Sequence, residues 1–546
     1  MFWKTVVLIT LIFCLPVAKI QSLATTDGHE SMVEGQDLRP QTPDRKTTFD
    51  NIFSNIAYST ELQSDFSCGE HNPLWLNANK YGLSSIENNS GYIRGGIFRD
   101  IRCDSVRKWG VGYGVDLAVP VNYTSKFIVQ QAYVEGKWLK GRLTIGSKQQ
   151  PLNLKNQKLS SGSQTLGINA RPFPEIRVAL NDYWNIPGFK KWLAFRGHFA
   201  YGIQTDDCWQ TDFTACKSRY TEHTFYHSKS GFLKIGSDNK PLQFEFGLEM
   251  GCQFGGTAYR FDNDGNKMKY INDQSIAAFW HALVPNSGGA GDTGEGIYAN
   301  TEGNHTGSWV ARLTYKGKNW KISAYMDHYF EDHSQMLFAD YDGYGTGKEW
   351  NEKKTNKFLL YKFKDCMWGL EATLPKNPFV NSIVAEYLYT KDQSGPVFHD
   401  HTVSISDHIA GRDNYYNHYI YTGWQHWGQV IGNPLYLSPI YNTDGLIIVE
   451  DNRFRAWHFG ISGNPHSAIS YRLLATWQQG WGTYDFPYRN PKRNFSMLAE
   501  VTYNCSKLLN SKGWTIKGAL ATDRGLLLGD NTGFQLTIIK KGVVHY

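Results

Sequence analysis

The most regular feature of the chain is an alternation of apolar and polar residues with a period of two. From Leu242 to Met250 every even position is apolar (Leu242, Phe244, Phe246, Leu248, Met250), while Gln243, Glu245 and Glu249 occupy the other face. Successive side chains of a strand point to opposite faces, so this segment predicts a strand with one face for lipid and one for a wet interior. Trp309, Ala311, Leu313 and Tyr315 alternate with Arg312 and Thr314, and Lys316-Gly317-Lys318-Asn319 makes a short turn. Trp320, Ile322, Ala324 and Met326 then return opposite Lys321, Ser323, Tyr325 and Asp327. The result is a hairpin with an aromatic residue at each end, as membrane-interface strands have. Taken alone, it fits a soluble sandwich as well.

The end of the chain separates the two. From Phe534 to Tyr546 the even positions read Phe534, Leu536, Ile538, Lys540, Gly542, Val544 and Tyr546. A strand whose last residue is aromatic resembles the terminal strand of bacterial outer-membrane barrels, which the barrel assembly machinery reads as an address. Between the strands lie long polar, Gly- and aromatic-rich stretches such as Ser287 to Gly307 and Asp340 to Asn356. Short turns on one side and long loops on the other are the asymmetry of such barrels. No repeat or linker divides 56–546, which reads as one domain.

Two segments switch to helical spacing. Phe49, Ile52, Phe53 and Ile56 predict a helix over Pro43 to Ala57 with Thr42 as its cap, on the periplasmic side of the first strand. Ile276, Phe279, Trp280 and Leu283 predict a second over Asp273 to Leu283, capped by Asp273, stopped near Pro285 and packed across the barrel mouth.

Composition changes the picture in two ways. The 546 residues are 41% hydrophobic, 19% charged and 15% aromatic, which is neither disordered nor fibrous. Beyond the N-terminus no apolar run reaches the ~18 residues a spanning helix needs, which leaves strands as the only way across a membrane. The N-terminus itself, Lys4 followed by an apolar stretch to Ala18 and then Ser22-Leu23-Ala24, reads as a cleaved export signal over 1–24. Residues 25–55 then form a periplasmic leader and 56–546 the barrel. The formal charge of +6 permits polyanion binding without demanding it. Of the cysteines past Cys14, only Cys208 and Cys216 are spaced for a local disulfide, and unpaired thiols fit equally.

Motifs for catalysis fail on spacing. Asp262-Asn263-Asp264-Gly265-Asn266 offers alternate oxygens, but Lys267 and Asp273 stand where a calcium loop needs Gly and Glu, so it reads as a turn. His223 and His227 lie on a segment, Thr221 to Lys234, that reads as strand, too far apart along it to share a metal. No Gly-x-Ser-x-Gly elbow is present. Dispersed cations and an export signal argue against nucleic acid. The densest aromatic segment, Tyr415 to Trp427, offers flat rings that stack on the C–H faces of sugars, or else packs a lumen.

Several stretches are compositionally unusual: Asn72-Pro73-Leu74-Trp75-Leu76-Asn77-Ala78-Asn79-Lys80-Tyr81-Gly82-Leu83, Ala170-Arg171-Pro172-Phe173-Pro174-Glu175, Asn181-Asp182-Tyr183-Trp184, Tyr226-His227-Ser228-Lys229, Gly247-Leu248-Glu249-Met250 with Gln253-Phe254-Gly255-Gly256, and Tyr415-Tyr416-Asn417-His418. Together they resemble the capsule assembly Wzi family over nearly the whole mature chain. The resemblance implies an all-β fold: a transmembrane antiparallel β-barrel of about eighteen strands in the bacterial outer membrane, with a small periplasmic helical segment and a plugged lumen. It implies a surface lectin that holds capsular or exopolysaccharide and catalyses no reaction; no cofactor or metal is expected, and of the oligomeric states, which the sequence does not fix, a monomer is favoured. No family motif assigns sugar contacts to positions here. From aromatic and basic loop content alone, Trp209, Trp280, His281 and Trp350 are the candidate stacking and hydrogen-bonding groups. The competing reading is a porin or glycan-uptake channel, which requires an open lumen; a barrel-embedded hydrolase or acyltransferase would need a convergent acid, base or nucleophile set.

Overall fold

A computed structural model of the chain describes residues 52–262, 264–285, 303–331, 365–398, 409–505 and 512–544. The export signal expected over 1–24, the expected leader up to Asn51, Trp350 and the terminal Tyr546 lie outside these residues. Eighteen antiparallel strands form the wall. The first six are β1 (Ile56–Cys68), β2 (Asn89–Arg99), β3 (Trp109–Val121), β4 (Ile128–Trp138), β5 (Gly141–Ser147) and β6 (Pro174–Asn185). Next come β7 (Leu193–Ile203), β8 (Phe225–Ile235), β9 (Leu242–Phe254), β10 (Asn304–Lys316), β11 (Lys321–Glu331) and β12 (Cys366–Thr373). The last six are β13 (Ser382–Tyr389), β14 (Phe454–His466), β15 (Ile469–Gly482), β16 (Pro487–Asn504), β17 (Trp514–Gly525) and β18 (Asn531–Val544). Each pairs with the next, and β18 returns to β1 in a register running from Ile56 opposite Val544 to Cys68 opposite Thr532. Closure leaves no unpaired edge, which is what lets a sheet cross a bilayer.

The period-two reading holds along these strands. On β9, Leu242, Phe244 and Phe246 are exposed on the outer wall while Gln243 and Glu249 are buried inside. On β10 and β11, Leu313, Tyr315 and Ile322 face out, and Arg312, Thr314, Ser323 and Asp327 face in. Outward Leu143, Ile145, Ile176 and Val178 continue the apolar band over β5 and β6. A band of exposed aliphatic and aromatic residues around a closed sheet is a lipid-facing surface.

The expected helix over Pro43–Ala57 fails at its described end. Ile52 to Asn55 form turns, and Ile56 and Ala57 open β1 opposite Val544 and Val543. The ladder offers these two residues both hydrogen bonds and a lipid-facing wall, which a single amphipathic turn cannot match. The strand expected over Thr221–Lys234 is also interrupted: β8 starts at Phe225, and His223, with φ 56°, turns the chain between it and a separate short strand, Tyr220–Glu222.

The two ends of the barrel differ. At the end holding the chain termini the connections are short, the tightest at 139–140 and 467–468; at the other end they include 69–88, 148–173, 204–224 and 390–453. Among the described residues, the short turns carry ten Lys and Arg against three Asp, whereas the long connections carry fourteen Lys and Arg against seventeen Asp and Glu. Short turns face the periplasm in this class of barrel. An epitope inserted at Asp444 on the long-loop end is therefore expected to be labelled by antibody on intact cells, and one inserted at Lys318 only after permeabilisation.

Candidate functional site

Eighteen strands enclose more space than wall side chains can fill, and the long connections turn back to fill it. Segment 148–173 enters furthest. Lys155 Nζ donates to Asp327 Oδ2 at 2.7 Å with both side chains fully buried, and Asn153 and Ser163 donate to the two oxygens of Glu249 at 2.7 and 3.0 Å. Ser160 and Ser161 hydroxyls donate to Glu386 at 2.6 Å each, and Arg312 bridges the Leu154 carbonyl and Glu371. The chain inside thus meets ionised or polar wall groups at each step, as backbone away from water requires. Burial alone would lower the Lys155 ammonium, but the Asp327 and Glu249 carboxylates hold it above its ordinary value.

Segments 69–88 and 413–452 close the remaining space. Trp75 Nε1 donates to Thr476 at 3.1 Å and Trp424 Nε1 donates to the Thr165 carbonyl at 2.9 Å. Tyr415, Tyr416, Trp424, Leu435 and Tyr436 form one buried cluster with Trp75 and Phe454. Gly251 on β9 is required here, because a Cβ would sit 2.2 Å from the Trp424 ring. Cavities remain among the described residues. One of 80 Å³, lined by Tyr81, Lys148, Arg171, Glu175, Arg177 and Tyr226, holds a few waters at most. Another, of 270 Å³, lies at the terminal end between Tyr58, Glu61, Arg94, Asp116 and Lys541. The dense aromatic stretch Tyr415–Trp427 is therefore mostly plug, with Tyr419 its exposed exception.

The outward end carries a different arrangement. Strands Tyr220–Glu222, Thr257–Phe261 and Lys267–Ile271 make a three-stranded sheet beside helix α1 (Asp207–Thr214). On one face Tyr220 and Tyr259 stack at 4.7 Å, Lys267 Nζ lies 4.1 Å from the Tyr259 ring, and Tyr259 OH donates to Glu222 at 3.1 Å. On the other face Arg260 sits 3.6 Å over the exposed Tyr419 ring. The turn between the last two strands is the one expected at Asp262, whose Oδ1 accepts from the Asp264 and Asn266 amides. Nearer the lumen, Arg171 stacks 4.2 Å over Trp427 and donates to Thr124 and Ser125. Burial lowers the Arg171 guanidinium to about 10. Rings flanked by cations and a carboxylate are the groups that recognise polar, hydroxyl-bearing ligands.

The sequence-derived candidates are scattered across this end. Trp209, on α1, is buried at 7% exposure, stacked 4.9 Å from Phe213 and closed over by Gly428. Trp280 and His281 share helix α2 (Ile276–Leu283), which does not cross the mouth as expected but packs on the outer wall against Tyr201, Phe225 and Phe254. Its cap is Ser275, which accepts from the Ala278 amide and is itself held by Asp273. Trp350 lies outside the described residues. Cys208 and Cys216 are free thiols. The reading missed Tyr220, Tyr259, Arg260, Lys267 and Tyr419; its signal was the alternation on either side of the Asp262 turn.

The structure is similar to the Escherichia coli outer-membrane protein Wzi, described as a carbohydrate-binding β-barrel involved in group 1 capsule assembly, at 12% identity and a TM-score of 0.50 over 89% of this chain and 84% of that one. Lower similarity links it to OpdK of Pseudomonas aeruginosa (8% identity, 89% and 98% of the chains, TM-score 0.42) and OccAB4 of Acinetobacter baumannii (7%, 90% and 100%, 0.41). No family model and no curated protein matches the sequence. At such identity the likeness to Wzi establishes fold alone. The protein is a bacterial outer-membrane β-barrel.

Two predictions concern how the inward segments are held. Lys155→Met leaves two carboxylates buried without their cation and is expected to cost about 3–5 kcal/mol, read as a lowered unfolding midpoint in detergent. Asp451 ends the inward segment 413–452, accepting from the Gly482 amide at 2.9 Å, and burial raises it to about 7. The unfolded chain releases this proton near 3.8. The stability it contributes is complete below that pH and is lost as pH rises toward 7, at about 1.4 kcal/mol per unit. Asp451→Asn is expected to remove that slope from unfolding midpoints measured between pH 4 and 7.

Proposed function

We propose that the protein is a non-enzymatic surface lectin that holds capsular or exopolysaccharide on the outward end of its barrel. The observation that carries this reading is the filled lumen: among the described residues, chain segments and their ion pairs occupy the space that a porin or uptake channel keeps open. Function then falls to the outward surface, where Tyr259 with Lys267 and Tyr419 with Arg260 pair aromatic rings with cations. The motifs resembling the Wzi family and the carbohydrate binding described for the similar E. coli barrel support the same reading. A wall-anchored plug also suits a protein that must carry tension from attached polymer without opening a pore.

Deleting the gene is expected to move polysaccharide from washed cells to the medium at unchanged total yield, with retention restored by the wild-type gene. A Tyr259→Ala/Lys267→Ala variant, folded by heat-modifiable mobility, is expected to restore several-fold less cell-bound polysaccharide. Unchanged partition on deletion, together with ionic current through the reconstituted protein, would instead establish the channel reading.

A further inference from the structure

The placement of α2 points to a second surface. In outer-membrane barrels the lipid-facing wall is an apolar band flanked by aromatic girdles, yet the outward residues at the top of β7–β9 include His227, Lys229 and Cys252, a polar set among apolar neighbours. Helix α2 lies over this set. Ala278 and Ala282 are buried with Cys252 and Phe254, and the Phe279 ring sits 5.0 to 5.3 Å from Phe254, Tyr201 and Phe225. The last carbonyls of a helix have no partners of their own. Here Lys229 Nζ donates to those of Ala282 and Leu283, while Tyr201 OH donates to the Phe279 carbonyl at 2.7 Å. The wall cation and the helix end therefore satisfy each other without water.

The opposite side of α2 is apolar as well. Ile276 is 90% exposed and Trp280 60% exposed, Val284 follows, and Ile276–Leu283 contains no Asp, Glu, Lys or Arg. Apart from half-buried His281 the helix is apolar all round, a pattern that ordinarily belongs to a buried helix, yet no protein segment among the described residues covers Ile276 or Trp280. The face continues the band formed lower on the same wall by Phe244, Phe246 and Leu233. Trp is also the residue that settles at membrane interfaces. We propose that α2 is an anchor lying flat on the outer wall with Ile276 and Trp280 among the acyl chains of the outer leaflet, so that Trp280 contacts lipid rather than polysaccharide.

The experiment places p-benzoylphenylalanine at 276, 280 or 269 in the full chain, folded into phosphatidylcholine vesicles and checked by heat-modifiable mobility. Positions 276 and 280 are exposed, so the probe displaces no packed neighbour, and Lys269 on the outward sheet is the water-facing control. Irradiation is expected to give protein carrying the mass of one phospholipid at 276 and 280 and none at 269. Folded protein without lipid adducts at 276 and 280 would overturn the proposal, as would adducts at 280 that form with added polysaccharide in place of lipid.

Discussion

An eighteen-stranded wall poses one problem on which the rest of the structure depends: its lumen is too wide for inward side chains to meet. Filling it with chain imports backbone donors and acceptors, which must be paired away from bulk water. The wall answers with carboxylates. Glu249, Asp327 and Glu386 receive the side chains of 153–163, and Lys155 supplies the compensating charge. A buried ion pair adds little net stability against an apolar replacement, but losing one member is expensive. Its effect here is positional. Only one seating of 148–173 places Lys155 on Asp327, two serines on Glu386 and the Leu154 carbonyl on Arg312 together.

That seating organises what lies around it. Trp424 reaches the Thr165 carbonyl, Tyr416 the Gln164 carbonyl and Asn169 the Val430 carbonyl, so 413–452 is built on 148–173 as well as on the wall residues Gln478 and Gly482. The buried aromatic cluster forms above this layer. Loops that would be free surface in a simple barrel are thereby drawn into the interior, and what projects beyond them is the small sheet of 220–271 and the Tyr419 ring on which Arg260 rests.

Much of this was legible in the sequence where the membrane imposes a rule. The two-residue alternation of Leu242–Met250 and of Trp309–Asp327 gave strand, face and turn, and the alternation of the last strand then favoured a membrane barrel over a soluble sandwich. The spacing of Ile276, Phe279, Trp280 and Leu283 gave a helix but not its place. Periodicity reports that a helix has an apolar face and not whether that face meets a lumen, a mouth or an outer wall; the deciding residue, Lys229, lies far off in sequence. Aromatic density left two readings open for a related reason. Tyr415, Tyr416 and Trp424 look like a sugar-stacking surface, yet a polar lumen is packed with the same amphipathic rings. Trp209 shows the limit for loops, since a loop aromatic can be covered by another loop.

The distribution of charge bears on how the outward end can recognise a polymer. Its connections hold slightly more acids than bases, so no general positive field draws in a polyanion. Attraction beyond a Debye length, ~8 Å at physiological salt, is screened in any case. What remains is local: Lys267 held against Tyr259, Arg260 held against Tyr419, with Glu222 fixing the Tyr259 hydroxyl. In such pairs the cation is already positioned by the ring, and less side-chain entropy is left to lose when a ligand arrives. On the proposed reading, selectivity built this way would follow the shape and hydroxyl pattern of a sugar face more than its net charge.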